Sequence, residues 1–142
     1  MKYEDLVMKS KKIIEDIKIE INNLMIEIPY KLEYRIKSED HIYRKLQKNN
    51  LKNIIDVEDV IGFRILVENE NLCHRVYSIL TNYYEPYKIS NYFINPKNTG
   101  FKAYILKLDK YDINTEIQIM THDMKIITER THLIHEREKY NN

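Results

Sequence analysis

Apolar residues recur every three or four positions from Tyr3 to about Glu27, then switch to alternation, and the two periods trade places along the rest of the chain. Leu6, Ile13, Ile14, Ile17, Ile21, Leu24, Met25 and Ile28 make the first stripe, with Lys, Glu and Asp between them. That spacing predicts one long amphipathic helix, which Pro29 stops. Leu32 to Lys37 alternates and reads as a strand. Ser38-Glu-Asp is a helix start, with Ser38 as N-cap and acids in the first turn. This helix runs through Ile42, Leu46 and Gln47 to the loop signal Asn49-Asn50. A short second helix is expected to carry Val57 and Val60. Ile61 to Val67 is β-prone throughout and reads as a buried strand.

A helix from Asn71 to about Tyr83 follows, then a strand from Tyr87 to Ile94 and a loop from Pro96 to Gly100. Ala103 to Leu108 and Thr115 to Ile119 alternate, joined by a polar turn over Asp109 to Asn114. His122 to about Lys139 closes the chain as a helix. The order is α, β, α, β, α, β, β, β, α, which implies an α+β single domain: a mixed sheet of about five strands flanked by helices. At 142 residues the chain suits one such domain. Residues 1–28 serve as scaffold helix and 34–137 as the core that carries the motifs below.

The net charge of +1 does not indicate a strongly basic surface for non-specific nucleic-acid binding, and leaves room for a local basic groove. The one cysteine, Cys73, lies on an apolar helical stripe and reads as core filler; a reducing cytoplasm is the expected compartment. No apolar run reaches a membrane span, and Met1-Lys-Tyr-Glu-Asp lacks the layout of a signal peptide. Glycine is scarce: only Gly62 and Gly100 occur, and both fall beside residues able to do chemistry.

Asp59 precedes the apolar Val60-Ile61-Gly62, and Glu116 begins a strand in which Ile117 and Ile119 face away from Glu116 and Gln118. Carboxylates at the inner face of a sheet are costly unless paired or metal-bound. Two on adjacent strands suit Mg²⁺, which takes one or two carboxylates plus substrate phosphates. The competing reading is a pair of surface acids satisfied by lysines. Arg35 and Lys37 share a strand face, Lys45 falls one turn beyond His41 on the next helix, and Arg64 sits two after Gly62. Such cations can clamp a triphosphate, or can be ordinary solvated charge. In Asn95-Pro-Lys97-Asn-Thr-Gly100-Phe101, Gly100 permits a tight turn and Phe101 offers either a stacking surface for a purine or a core side chain. His132 and His135, three apart on a helix, read as a surface pair. Neither a Walker loop nor a dinucleotide fingerprint occurs.

Together these segments resemble the synthetase domain of the RelA/SpoT nucleotidyltransferase family, the alarmone synthetases, from about Tyr34 to Arg137. Arg35-Ile-Lys37 with Lys45 resembles R-x-K-x-x-x-S-x-x-x-K, which binds ATP phosphates. Asp59-Val-Ile-Gly62-Phe-Arg64 is similar to D-x-x-G-x-R, whose Asp ligates Mg²⁺ and whose Arg contacts ATP. Asn91-Tyr92 through Gly100-Phe101 resembles the loop that stacks the guanine nucleotide. Glu116-Ile-Gln118-Ile-Met-Thr121 resembles E-I-Q-I-R-T, whose Glu serves the metal and the attacking hydroxyl. His132 falls where the closing helix of the family carries a histidine.

The resemblance implies a nucleotidyltransferase-like fold and a GTP/GDP pyrophosphokinase that moves pyrophosphate from ATP to the 3′-hydroxyl of GDP or GTP, making (p)ppGpp in the stringent response. It assigns catalysis and Mg²⁺ to Asp59 and Glu116, ATP to Arg35, Lys37, Lys45 and Arg64, and the acceptor to Lys97, Gly100, Phe101, Gln118 and His132. The expected partners are ATP and a guanine nucleotide, with no membrane and with room for a homo-oligomer. The chain departs from the family pattern at His41 for Ser, Asn91 for Asp, Phe101 for Tyr, Ala103 for Ser, Ile105 for His and Met120 for Arg. Ile105 and Met120 remove groups that would contact phosphate or acceptor. Two alternatives therefore stay open: another acceptor such as the 3′ end of a tRNA, as in a toxin, or a catalytically dead nucleotide-binding or interaction module.

Overall fold

The computed structural model describes residues 1–109 and 112–130. Helix α1, Tyr3–Leu24, buries Leu6, Ile13, Ile14, Ile17 and Ile21 along one stripe and ends five residues before Pro29. Strand β1, Lys31–Ile36, leads to α2, Glu39–Lys48, where the Ser38 hydroxyl accepts from the His41 amide as the expected N-cap. Strand β2, Ile61–Val67, is buried at every position but Arg64. Helix α3, Glu70–Tyr84, starts on the Asn69 side chain, which accepts from the Leu72 amide at 2.9 Å. It stops at Glu85, whose left-handed backbone (φ 49°) turns the chain away. Strands β3, Lys88–Asn91, β4, Tyr104–Leu108, and β5, Thr115–Thr121, complete the sheet. A last helix, α4, is described over 122–130, with the Thr121 hydroxyl accepting from the Met124 amide.

Two sequence expectations needed correction. The short helix expected at Val57 and Val60 is instead a single 3₁₀ turn over Ile54–Asp56; the two valines follow it as fully buried anchors. The strand expected to reach Ile94 ends at Asn91. There the Asn91 side chain accepts from the amides of Phe93 and Ile94, and this local turn competes successfully with the ladder.

The five strands lie in the order β1-β2-β5-β4-β3. β2 and β5 run parallel, and the remaining pairs are antiparallel. Alternation then sorts the sheet into two faces. Phe63, Ile65, Leu106, Ile117 and Ile119 point to one side and form the main core with Leu6, Ile17 and Ile21 of α1 and Cys73, Val76 and Leu80 of α3. Each fully buried Leu or Ile there contributes roughly 1.5–3 kcal/mol. Cys73 is the core filler expected, its thiol pushed up to about 12 by burial. Helices α1 and α3 thus cover one face; the other carries the remaining side chains of β1, β2, β5 and β4, with Met124 of α4 packed at one end. No helix among the described residues is long and apolar enough to cross a membrane.

Candidate active site

Register brings the separate segments together on the second face. Arg35, Gly62 and Glu116 stand opposite one another across β1, β2 and β5. One step along, Glu33, Arg64 and Gln118 form the next row. Lys107 of β4 extends the first row beside Glu116. These rows line a cavity of about 260 Å³, whose walls are Glu33, Tyr34, Arg35, Gly62, Phe63, Arg64, Glu116 and Gln118.

Gly62 has a specific reason to lack a side chain. A Cβ there would lie 3.1 Å from Cζ of Arg35, because the guanidinium passes directly over the strand. Arg35 thereby reaches Asp59, donating from Nη1 to its carbonyl and from Nη2 to its carboxylate, both at 3.1 Å. Asp59 itself holds a left-handed backbone (φ 47°) at the entry to β2. Lys37, only 8% exposed, places Nζ 3.1 Å from the same carboxylate oxygen. Asp59 is therefore bracketed by two cations.

Glu116 is set differently. Burial first, and then the nearby Asp59 carboxylate, hold its carboxyl above the ordinary glutamate range; a 3.4 Å hydrogen bond donated by Gln118 Nε2 and the charges of Lys107 and Arg35 offset part of this. A carboxyl raised in this way holds a proton more readily than an ordinary glutamate does. Arg64 donates from Nε to Gln118 Oε1 at 3.4 Å and lies 3.6 Å from Glu33.

The donor set can be tested for a divalent ion. Among the described residues no group of three or more His, Cys, Asp or Glu is placed to hold a metal on its own. The Asp59 carboxylate repels that of Glu116, and a cation between them would relieve that repulsion. Two carboxylates completed by substrate phosphates fit Mg²⁺ and would not suit a metal that needs a full protein cage.

Away from this polar half, the same face is apolar. Phe101, Ala103, Met120, Met124 and Leu66 form a second buried cluster, with Tyr92 and Ile105 packed against it. Four of the departures from the family pattern, at Phe101, Ala103, Ile105 and Met120, thus fall into one patch. Phe101 is 8% exposed, so it matches the core alternative and not the open stacking surface that the resemblance implied. Its ring meets Tyr92 edge-on at 5.6 Å, and Lys97 Nζ sits over both rings, 4.9 Å from Tyr92 and 5.2 Å from Phe101. Gly100 takes the expected left-handed conformation (φ 82°), and its amide donates to the Lys97 carbonyl at 2.8 Å.

Of the residues singled out from sequence, Arg35, Lys37, Asp59, Arg64, Glu116 and Gln118 converge. Lys97, Gly100 and Phe101 stand at the apolar half. Lys45 is exposed on α2 and does not line the cavity. His132 lies outside the described residues. Sequence reasoning missed Glu33 and Lys125, which pair with each other from positions 92 residues apart. No local pattern marks either, since each looks like ordinary surface charge on its own element. Lys107 was also missed; it pairs with Glu58 at 2.7 Å beside Glu116.

A model of the region found in RelA/SpoT proteins matches residues 34–141. Among curated proteins, guanosine-3′,5′-bis(diphosphate) 3′-pyrophosphohydrolase of Haemophilus influenzae is 24% identical over 134 residues, covering 84% of this chain but only 20% of that protein. The chain thus spans about a fifth of the length of this relative. Among solved structures, a GTP pyrophosphokinase family protein from Streptococcus pneumoniae superposes with a TM-score of 0.80 at 18% identity, covering 99% of this chain and 79% of that one. Small alarmone synthetase 1 from Bacillus subtilis, bound to its product pppGpp, gives 0.79 at 19% identity, with 99% and 82% covered.

Proposed function

The chain belongs to the RelA/SpoT family, and on that premise we propose that it transfers pyrophosphate from ATP to the 3′-hydroxyl of GDP or GTP. The observation that carries this reading is the first row of the site: a proton-accepting Glu116 beside Asp59, with Arg35 and Lys37 at hand and Arg64 one row along. A hydrolase reading has less support. The relative named as a hydrolase is matched over only a fifth of its length, whereas about four-fifths of each synthetase-type structure is covered.

In the proposed reaction the acceptor 3′-oxygen forms a bond to the β-phosphorus. The bond from that phosphorus to the oxygen bridging it to the α-phosphate breaks, and AMP leaves with that oxygen. Glu116 takes the proton of the attacking hydroxyl. Arg35, Lys37 and Arg64 neutralise the triphosphate, Arg through paired N–H donors and Lys as a point charge. Lys45 is exposed on α2 outside the cavity lining and takes no part in this arrangement. Asp59 and Glu116 would hold Mg²⁺, which supplies charge neutralisation of the phosphates when bound. Lys97 and Gln118 would address the acceptor; Gly100 shapes the loop that carries Lys97, and Phe101 supports it from below.

The apolar half favours a second reading of the acceptor alone. Ile105 and Met120 offer no hydrogen bond to a phosphate, so an acceptor other than a guanine nucleotide, such as a tRNA 3′ end, fits the same donor half. Incubation with γ-³²P-labelled ATP, Mg²⁺ and each acceptor separates the readings. Labelled guanosine tetra- or pentaphosphate supports the first, and label on tRNA moves the assignment to the second. Absence of AMP with every acceptor leaves only a binding module.

A further inference from the structure

Beside Arg64 at the cavity stand two charged residues, Glu33 and Lys125, that have no role in the reaction as described. Glu33 is the only acid in β1, and its carboxylate is shared between two cations. Oε1 lies 3.6 Å from Arg64 Nη1, and Oε2 accepts from Lys125 Nζ, which reaches over from α4. Glu129, one helical turn beyond Lys125, stands 3.7 Å from the same ammonium. The side chains of Glu33, Arg64 and Lys125 are 30%, 27% and 23% exposed, so all three are open to a ligand and none is sealed in the core. Glu33 and Arg64 also line the cavity directly. Two cations on separate elements therefore converge on one accessible carboxylate, next to Arg35. A part-exposed pair of this kind adds little to stability, so stability gives weak reason for it. Two cations placed on one accessible carboxylate can hold a phosphate in the same way.

We infer that Lys125 is a phosphate-binding residue of this pocket, and that Glu33 is the resident counter-anion which a nucleotide phosphate displaces. The inference rests on the nucleotide reading above and names a residue of the same site. A phosphate offers more charge and more acceptor oxygens than a carboxylate, so Arg64 and Lys125 gain by the exchange. Glu33 loses both partners and repels the ligand, which makes it a brake on affinity. The Lys125 ammonium and the Glu33 carboxylate are each strengthened in their charged forms by their mutual hydrogen bond, so the exchange trades one full ion pair for another.

The opposite signs of two substitutions test this. A fluorescent ATP analogue titrated into the full chain should bind Glu33→Gln roughly five-fold more tightly than wild type, and Lys125→Ala roughly five-fold more weakly, with Lys125→Arg near wild type. Inorganic tripolyphosphate should compete with the same ranking. A purely structural role for the pair predicts that Glu33→Gln weakens binding or leaves it unchanged, and either result overturns the inference. Thermal melts of each variant separate loss of affinity from loss of fold. The transfer assay is scored independently. If the affinity ranking holds and no AMP forms, the transferase reading fails and the phosphate site stands. If AMP forms but Glu33→Gln does not bind more tightly, the reverse holds.

Discussion

Along the open face of the sheet, the same strands carry opposite chemistry only two residues apart. At one end of β2 and β5 stand Gly62 and Arg64 beside Glu116 and Gln118; at the other, Leu66 beside Met120. The polar half is held by ion pairs, most of them between part-exposed side chains, so its geometry answers to charge and to what binds it. The apolar half is held by packing of Met120, Ala103, Phe101 and Met124, two of them pure hydrocarbon and two thioethers that are only weak acceptors. The sheet backbone is common to both. A scaffold can therefore keep one half while the half next to it changes character, because the backbone ladder that both share does not depend on which side chains the rows carry.

The sharpest way to break this division is Glu116→Gln. Loss of the proton acceptor should lower the turnover for AMP release by about 100- to 10,000-fold. An active variant would move the chemistry out of the polar half. Next comes Met120→Ala, which should cost about 2–4 kcal/mol of stability by leaving a cavity in the second cluster, read as a lower denaturant midpoint. If this variant stays stable and instead loses ATP binding, the apolar half is part of the donor site and the comparison fails. Gly62→Ala should sit between the two in kind: a Cβ would crowd the Arg35 guanidinium and shift it slightly from its place on Asp59, lowering kcat/KM up to about ten-fold while stability changes little.

The smallest effect expected is a pH dependence of stability. The folded-state carboxyl of Glu116 lies above its unfolded value, so the folded protein binds that proton more tightly. This contribution is present at acid pH and is lost as pH climbs from the ordinary glutamate range through the raised one. Melting curves from pH 4 to 8 should therefore show Glu116→Gln gaining on wild type as pH rises; parallel curves would mean that Glu116 is not strained in the fold.

Much of this was legible in the sequence, for identifiable reasons. Helices α1, α2 and α3 follow from apolar period and from Ser38 and Asn69 as caps, which are local signals. The six convergent site residues were found because each lies within a short motif. The pairing of β2 with β5 was not legible, because parallel register is set by side chains far apart in sequence. For the same reason Glu33 and Lys125 stayed hidden. Phe101 had two readings from its loop, and only the Met120–Met124 surface beneath it decided between them.

The parallel pair of β2 and β5 also sets the order in which the molecule can become competent. Arg64 and Gln118 are 54 residues apart, so their meeting requires closure of a loop that costs roughly 3.5 kcal/mol plus a constant before any ladder bond offsets it. The α1 and α3 helices and the β3–β4 and β4–β5 neighbours can form earlier from nearer contacts. A kinetic experiment should accordingly find the ability to grip a triphosphate appearing with the slowest folding phase, later than helix content. A chain still lacking β5 during synthesis would carry Arg35 and Asp59 already, yet have no Glu116 to act with them. On the proposed mechanism, topology by itself would keep the half-made protein chemically silent.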